Sequence, residues 1–256
     1  MKHALRIASV AISHPFEFAD RVRSQIEIRH DRGRPTPDID DAGDAAVELH
    51  RMLGAPADCA ECADFERIWS ATERSVLGSG FVLGKGHDAG IALARLCFGA
   101  ARHLRPNVVV ETGVARGITS RVILEALDRN ERGRLWSVDL PPLSTGWHRQ
   151  WATAVPSRLR PRWTYLRGAS RRILPRVFDR IVTVPLFVHD SLHTYENMTS
   201  ELRIAWRHLD IGGLIICDDI DNNNAFFDFA AGCPNTEWVV VDEPRRSGFV
   251  GVLRKI

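Results

Sequence analysis

The stretch VVVETGVARGITSR, residues 108–121, decides the fold. Three valines followed by Glu111, Thr112 and Gly113 read as a short strand buried on both faces, because a strand covered by helices above and below has no solvent-facing alternate positions. Gly113 and Gly117 fall where such a strand turns into a helix. A missing side chain there permits tight packing and lets a ligand approach the backbone. The spacing is not G-x-G-x-x-G, which weakens a nicotinamide or flavin assignment, and not G-x-x-x-x-G-K-S/T, so the phosphate-loop reading fails. Glu111 puts negative charge just before the turn, which disfavours a bare pyrophosphate and suits a ligand with a cationic group. Thr119 or Ser120 is expected to cap the following helix.

Working outward, strand-like and helix-like segments alternate. GIALARLCFGAARHL precedes the first strand as a helix stopped before Pro106. SRVILEALDRN follows it as a second helix, and GRLWSVDL, WTYLRG, PLFVHD and LIICDD supply four further strands. SRRILPRVF reads as a short helix that Pro175 interrupts if it extends. In ENMTSELRIAWRHL, Met198, Leu202, Ala205, Trp206 and Leu209 recur at helical spacing and should face the sheet. TEWVVVDE and GFVGVLRK flank EPRRSG as a terminal hairpin. The expected architecture is a doubly wound α/β domain, mostly parallel with an antiparallel C-terminal addition, over residues 86–256. Residues 1–85 read as an accessory region: a short strand RIASVAI, a polar connector, the helices DAAVELHRMLGA and CADFERIWSATERSVL, and a glycine-rich loop GSGFVLGKGHDAG. It is expected to shape the pocket or a contact between copies of the chain, which leaves homo-oligomerisation open.

Composition narrows the function classes. The 256 residues are 45% hydrophobic and 26% charged with a formal net charge of +2, which gives no general nucleic-acid footprint. The N-terminus carries only a short apolar run, weak as an export signal and too short to span a membrane. Cys59 and Cys62 form a lone C-x-x-C that could bind metal or do thiol chemistry, but no second pair at zinc-site spacing is evident and a redox motif would be expected beside a strand, so a structural reading of the pair is favoured. The odd count of five cysteines and the missing export signal fit a reducing cytoplasm.

Asp139 ends the second strand, 22 residues after Gly117. A carboxylate at that tip can accept both hydroxyl hydrogen bonds of a ribose. With these residues in view, the segment from Val108 to the C-terminus resembles a class I S-adenosylmethionine-dependent methyltransferase. It is most similar to the small-molecule branch that modifies hydroxyls of sugars and natural products. The resemblance implies a seven-stranded sheet with a reversed final strand and S-adenosylmethionine lying across the first two strand ends. It also implies that Glu111, Thr112, Gly113 and Gly117 form the first cofactor motif, that Asp139 binds the ribose, and that Gly168, Ala169 and Ser170 contact the adenine.

FVHDSLHTYENM, residues 187–198, carries the candidate chemistry. Asp190 ends the fourth strand, and Asp218 and Asp219 end the fifth. Neighbouring parallel strands would gather these acids on one rim, and oxygen-rich clusters suit Mg2+ or another hard divalent ion. Metal-dependent O-methyltransferases place an Asp after the fourth strand and Asp-Asn after the fifth; here the matching metal residues are Asp190, Asp218 and Asp219, the last departing from the family's Asn. Asp221 and Asn222 are alternatives, and DDIDNNN could equally be a turn of local caps. His193 can serve as general base, oriented by Asp190, since its ordinary pKa lies near neutrality. The bland alternative is that Asp190 caps the next helix. Tyr195 and Glu196 are expected to support the site or start that helix.

Elsewhere, RRILPR would meet an acidic substrate or partner, or be a solvated helix face. Arg116 could reach a carboxylate at the rim. Trp147, His148 and Trp151 could form a lid, with core packing of the two tryptophans an equal reading. The expected activity is methyl transfer to a hydroxyl of a small polar acceptor, assisted by a divalent metal or by His193. N-methyl transfer, a metal-dependent hydroxylase-like reaction and a non-catalytic cofactor-binding subunit are the competing readings.

Overall fold

A computed structural model describes residues 12–56, 59–60, 62–78, 89–143, 149–244 and 248–256. The strand expected at RIASVAI (apart from Ile12), most of the glycine-rich loop after residue 78, and Trp147 and His148 lie outside the described residues. At the centre stands β1, Val108–Thr112, in a seven-stranded sheet of order β3-β2-β1-β4-β5-β7-β6. The other strands are β2 (Arg134–Asp139), β3 (Trp163–Arg167), β4 (Val184–His189), β5 (Leu209–Cys217), β6 (Thr236–Asp242) and β7 (Phe249–Lys255). β1 to β5 pair in parallel, and β7 runs antiparallel to both β5 and β6. The single reversed strand matches the expected topology.

The side-chain alternation of the strands divides the core in two. Val109, Leu186, Val188, Leu214 and Ile216 point to one face, while Val110, Phe187 and Ile215 point to the other. Because both faces are covered, the strands need apolar residues at every position, which is why their sequences are continuous rather than alternating. The first face is covered by α2 (Ala45–Leu53), α3 (Phe65–Gly78), α4 (Ile91–Leu104) and α5 (Ile118–Arg129). The second is covered by α6 (Ser170–Phe178), α7 (Tyr195–His208) and α8 (Ala225–Gly232). α1, Pro15–Asp31, lies against α6 and α7.

Local chemistry sets the boundaries. Asp44 caps α2 by accepting from the N–H groups of Ala46 (2.8 Å) and Val47 (3.1 Å), and Gly54 ends it at φ 65°. α4 has no side-chain cap of its own; Glu243, beyond β6, accepts from the Ile91 and Ala92 N–H groups at 3.1 and 2.9 Å. Neither Thr119 nor Ser120 caps α5, contrary to expectation. The helix starts at Gly117 (φ 81°), and the two hydroxyls are used elsewhere. Nor does Pro175 interrupt α6, which runs through it. Thr194 caps α7 by accepting from the Asn197 N–H at 3.4 Å, so Asp190 does not. No helix among the described residues is long and apolar enough to cross a membrane.

The chain leaves β1 toward β2 and β3, then crosses back to β4 on β1's other side. Ligands in open α/β sheets bind at such a reversal, outside the carboxyl ends of the strands. At this point the first glycine turn meets the residues after β4.

Candidate functional site

Gly113 is the residue that lets the two strand ends close together. It has φ 85°, and a Cβ there would stand 1.7 Å from the Asp190 carbonyl oxygen. The backbone contact is held by Asp190 N–H donating to the Thr112 carbonyl at 2.9 Å. Beside it opens a cavity of about 750 Å³, lined by Gly113, Asp139, Gly168, Ala169, Ser170, Asp190, His193, Asp218 and Asp219 together with α1 side chains such as Phe18 and Val22. Its size suits a nucleoside-sized ligand with room for a second small molecule.

Asp139 reaches the cavity from the tip of β2. Its Oδ2 accepts from the Trp151 indole N–H at 2.9 Å, and Trp151 lies against Tyr165 and stacks on Trp163, with ring centroids 4.3 and 5.7 Å away. Burial raises the Asp139 carboxyl to a pKa of about 6, with the Trp151 bond pulling against it. Trp151 is thus a brace for the carboxylate. Opposite, Gly168 stands at φ 149° after β3, and Ser170 donates to Asn197 Oδ1 at 3.2 Å.

Three members of the expected motif do not line the cavity. Glu111 and Thr112 are fully buried beneath it. Glu111 Oε2 accepts from Ser120 and Ser137 at 2.7 and 2.6 Å, while Oε1 has no partner among the described residues. Burial pushes this carboxyl up to about 7 despite the two hydrogen bonds. Glu111 therefore does not present its charge to a ligand, which corrects the expectation drawn from its position. Gly117 is required by its own turn: a Cβ would meet Val155 Cγ2 at 2.8 Å. Arg116 is buried and donates to Gln150 at 3.2 Å, rather than standing on the rim.

The acids and the histidine come together as their strand positions require, with one rearrangement. Donor atoms of Asp190, His193 and Asp218 all lie within 4.8 Å of one another. Asp219 instead accepts from His193 Nδ1 at 3.1 Å, so it holds the ring rather than joining the group. Among the described residues His193 Nε2 is buried without a hydrogen-bond partner, and it lies 3.9 Å from Asp190 Oδ1. Burial lowers the His193 pKa, but the Asp219 bond and the charges of Asp219, Asp218 and Asp190 outweigh it and raise it to about 9. Burial, followed by the charge of Asp218, drives the Asp190 carboxyl well above the ordinary range, although Thr119 donates to its Oδ2 at 3.0 Å. Asp221 is occupied elsewhere, accepting from the Phe249 N–H at 3.3 Å.

Beneath this group lies a polar network that the sequence reading did not identify. Glu201 of α7 meets His189 Nδ1 at 2.7 Å, and accepts from Ser191 at 2.7 Å, from Asn197 at 2.9 Å and from Thr112. Burial works against its ionised form, yet the charge and bond of His189, followed by bonds from Ser170 and Thr112, hold its pKa down at about 2. The signal was present: Glu201 falls on the same helical stripe as Met198, Leu202 and Ala205, where a lone carboxylate must find buried partners. Arg171 and Arg172 likewise find an acidic partner inside the chain. Arg172 forks onto Asp20 at 2.8 and 2.9 Å, Arg171 pairs with Glu27, and Tyr195 N–H donates to Asp31 at 2.6 Å, which docks α1 over the cavity.

With this geometry in hand, comparison with known proteins is specific for the fold. Residues 110–220 match the family model of a methyltransferase domain. No curated protein matches the chain by sequence. Among solved structures, the chain is similar to the O-methyltransferase TomG from Streptomyces achromogenes, involved in tomaymycin synthesis and solved with S-adenosylmethionine, at 12% identity and TM-score 0.54 over 91% of this chain and 96% of that one. It is also similar to the O-methyltransferase from Bacillus cereus solved with S-adenosylhomocysteine, at 13% identity and TM-score 0.54 over 83% of this chain and 98% of that one.

Proposed function

We propose that this chain, whose residues 110–220 match a methyltransferase-domain family model, transfers a methyl group from S-adenosylmethionine to a hydroxyl oxygen of a small polar molecule. The observation that carries the reading is the pairing, in one cavity, of a carboxylate at the tip of β2 with a titratable group at the ends of β4 and β5. Bound S-adenosylmethionine supplies an electrophilic methyl on a cationic sulfur. The residues present fit it: Asp139 is placed to accept from ribose hydroxyls, Gly113 leaves the floor without a side chain, and Gly168, Ala169 and Ser170 form the wall for the base. Glu111 and Thr112 act from below, and Gly117 by shaping the turn.

At the other end, Asp190 and His193 are the catalytic pair. Asp219 fixes His193 through Nδ1, which leaves Nε2, buried in the cavity wall beside Asp190, as the basic position that takes the acceptor's hydroxyl proton. Asp190 and Asp218, with His193 at the edge, would hold Mg2+ or a similar divalent cation, whose chemistry there is to acidify a bound hydroxyl. A cation there would offset the Asp218 and Asp190 charges on His193, whose pKa the Asp219 bond raises first, and so would favour an unprotonated Nε2. Asp219, once expected as a ligand, serves here as a positioning residue. Residues 1–85 form the accessory region whose α1 closes the acceptor side.

Calorimetric titration with S-adenosylmethionine and S-adenosylhomocysteine, with and without Mg2+, tests the cofactor reading. Saturable binding that weakens at least tenfold in D139A is expected; a folded protein that binds neither would overturn it. Because Asp139 titrates at about 6, affinity should also fall as pH drops below 6, where the acceptor becomes a protonated acid. H193A should leave this binding intact and lower methyl transfer by about 10²- to 10⁴-fold.

A further inference from the structure

The C-x-x-C that stands alone in the sequence does not stand alone in the fold. His50, in the last turn of α2, and His103, in the last turn of α4, converge on Cys59 and Cys62. All four donor atoms lie within 4.8 Å of one another. His50 Nε2 is 2.9 Å from Cys59 Sγ, and His103 Nε2 is 3.2 Å from Cys59 Sγ and 3.7 Å from Cys62 Sγ. Two nitrogens and two sulfurs around one tetrahedral ion stand about 3.3–3.8 Å apart, given Zn–N near ~2.0 Å and Zn–S near ~2.3 Å. We propose that these four residues bind one structural Zn2+ ion, a site separate from the cavity and independent of the activity proposed above.

Several features of the surroundings point the same way. The two cysteines flank a tight turn, with Cys62 N–H donating to the Cys59 carbonyl at 3.2 Å, which turns both thiols toward the histidines. Gly99 lies one helical turn before His103, and a Cβ there would meet Leu49 Cδ2 at 2.4 Å and Cys62 Sγ at 3.4 Å. The glycine thus opens the face of α4 on which the cysteine loop rests. His50 is 3% exposed and Cys59 7%, while Cys62 and His103 are half-buried, so the group is sheltered on the side of α2 and the Cys59 thiol. The buried Nδ1 of His50 has no hydrogen-bond partner, which leaves Nε2, facing the thiols, as the ring's polar anchorage among the described residues. Both histidines sit at helix C-termini, where the peptide dipoles favour a cation.

Two thiols and two neutral imidazoles bind the ion with release of the two thiol protons, so the buried site is left neutral. The ion would join α2 and the cysteine loop to α4, the helix that feeds β1. The accessory region would then be fastened to the sheet by coordination as well as by packing. The reducing compartment expected from the cysteine count favours zinc over a disulfide.

The test uses the untagged full-length protein. Metal analysis after expression with added zinc should find about one equivalent of zinc per chain, lost in the C59S/C62S double variant. Replacement by Co2+ should give the intense visible bands of a tetrahedral ion with near-ultraviolet thiolate charge transfer, a signature that the oxygen-rich Asp190 group cannot produce. D190N should keep those bands, and H103N should weaken or shift them. Zinc below about a tenth of an equivalent, cobalt spectra without thiolate bands, or a metal-free mass two hydrogen atoms below that of the reduced chain, from a Cys59–Cys62 disulfide, would each overturn the proposal. The cobalt measurement on the unmodified chain stands even if the cysteine variants fail to fold.

Discussion

Two buried carboxylates respond to pH in opposite senses. Burial raises the Glu111 carboxyl from its ordinary 4.5 to about 7 in the fold, so the folded state holds its proton over that window. Stability is therefore lost as pH rises from about 4.5 to about 7, by about 3 kcal/mol if the full shift is realised. E111Q removes that slope, which urea denaturation at pH 5 and pH 7 would read; an unchanged slope would place the effect elsewhere. Glu201 is depressed to about 2, so its contribution is present above pH 4.5 and lost as pH falls toward 2. E201Q should flatten the acid limb below pH 4.5 while lowering stability at neutrality, because His189 loses its buried partner.

Two glycine turns separate crowding from conformation at the scale of elements. Gly113→Ala places a methyl 1.7 Å from the Asp190 carbonyl at φ 85°, and should cost more than about 3 kcal/mol or prevent folding. Gly212→Ala in β5 has a similar φ of 79° but nothing within 4 Å, and should cost only about 1–2 kcal/mol. Equal losses in thermal denaturation would mean that backbone strain, rather than the approach of β1 to β4, governs the first turn. The docking of α1 is testable in the same manner. R172A leaves Asp20, 5% exposed, without its fork, and should open α1 to limited proteolysis and raise KM for the acceptor more than it lowers kcat.

Across the whole molecule, the N-terminal helices and the seven-stranded sheet share one apolar cluster. Leu49 and Met52 of α2 and Phe65 and Trp69 of α3 pack with Leu93 and Phe98 of α4. Gly43, ahead of α2, pairs with Val241 of the edge strand β6, which covers part of that edge. A chelator that strips zinc should therefore lower the melting temperature of the whole chain in one transition, and not melt a separable N-terminal unit first; two transitions in calorimetry would refute this coupling.

The fold was legible because its signals are local. Runs such as VVVET and LFVH, and helix faces such as Met198–Leu202–Ala205, follow from burial on both sides of a parallel sheet and need no knowledge of distant partners. The acids at strand ends were legible too, since parallel strands in register bring their tips to one rim. Contacts formed across the chain were decided only by tertiary structure. Thr119 and Ser120 could have capped α5, but Asp190 and Glu111 take their hydroxyls from 71 and 9 residues away. Asp219 could have joined the other acids, but a backbone at φ 51° directs it to His193. Arg171 and Arg172 could have faced solvent or a substrate, but α1 supplies their carboxylates. The lone C-x-x-C shows the same division: its spacing fixes one pair of thiols, and only the packing of α2 on α4 brings His50 and His103 to them. Sequence determines what each residue can bond, and the folded chain decides which bond removes it from water at least cost.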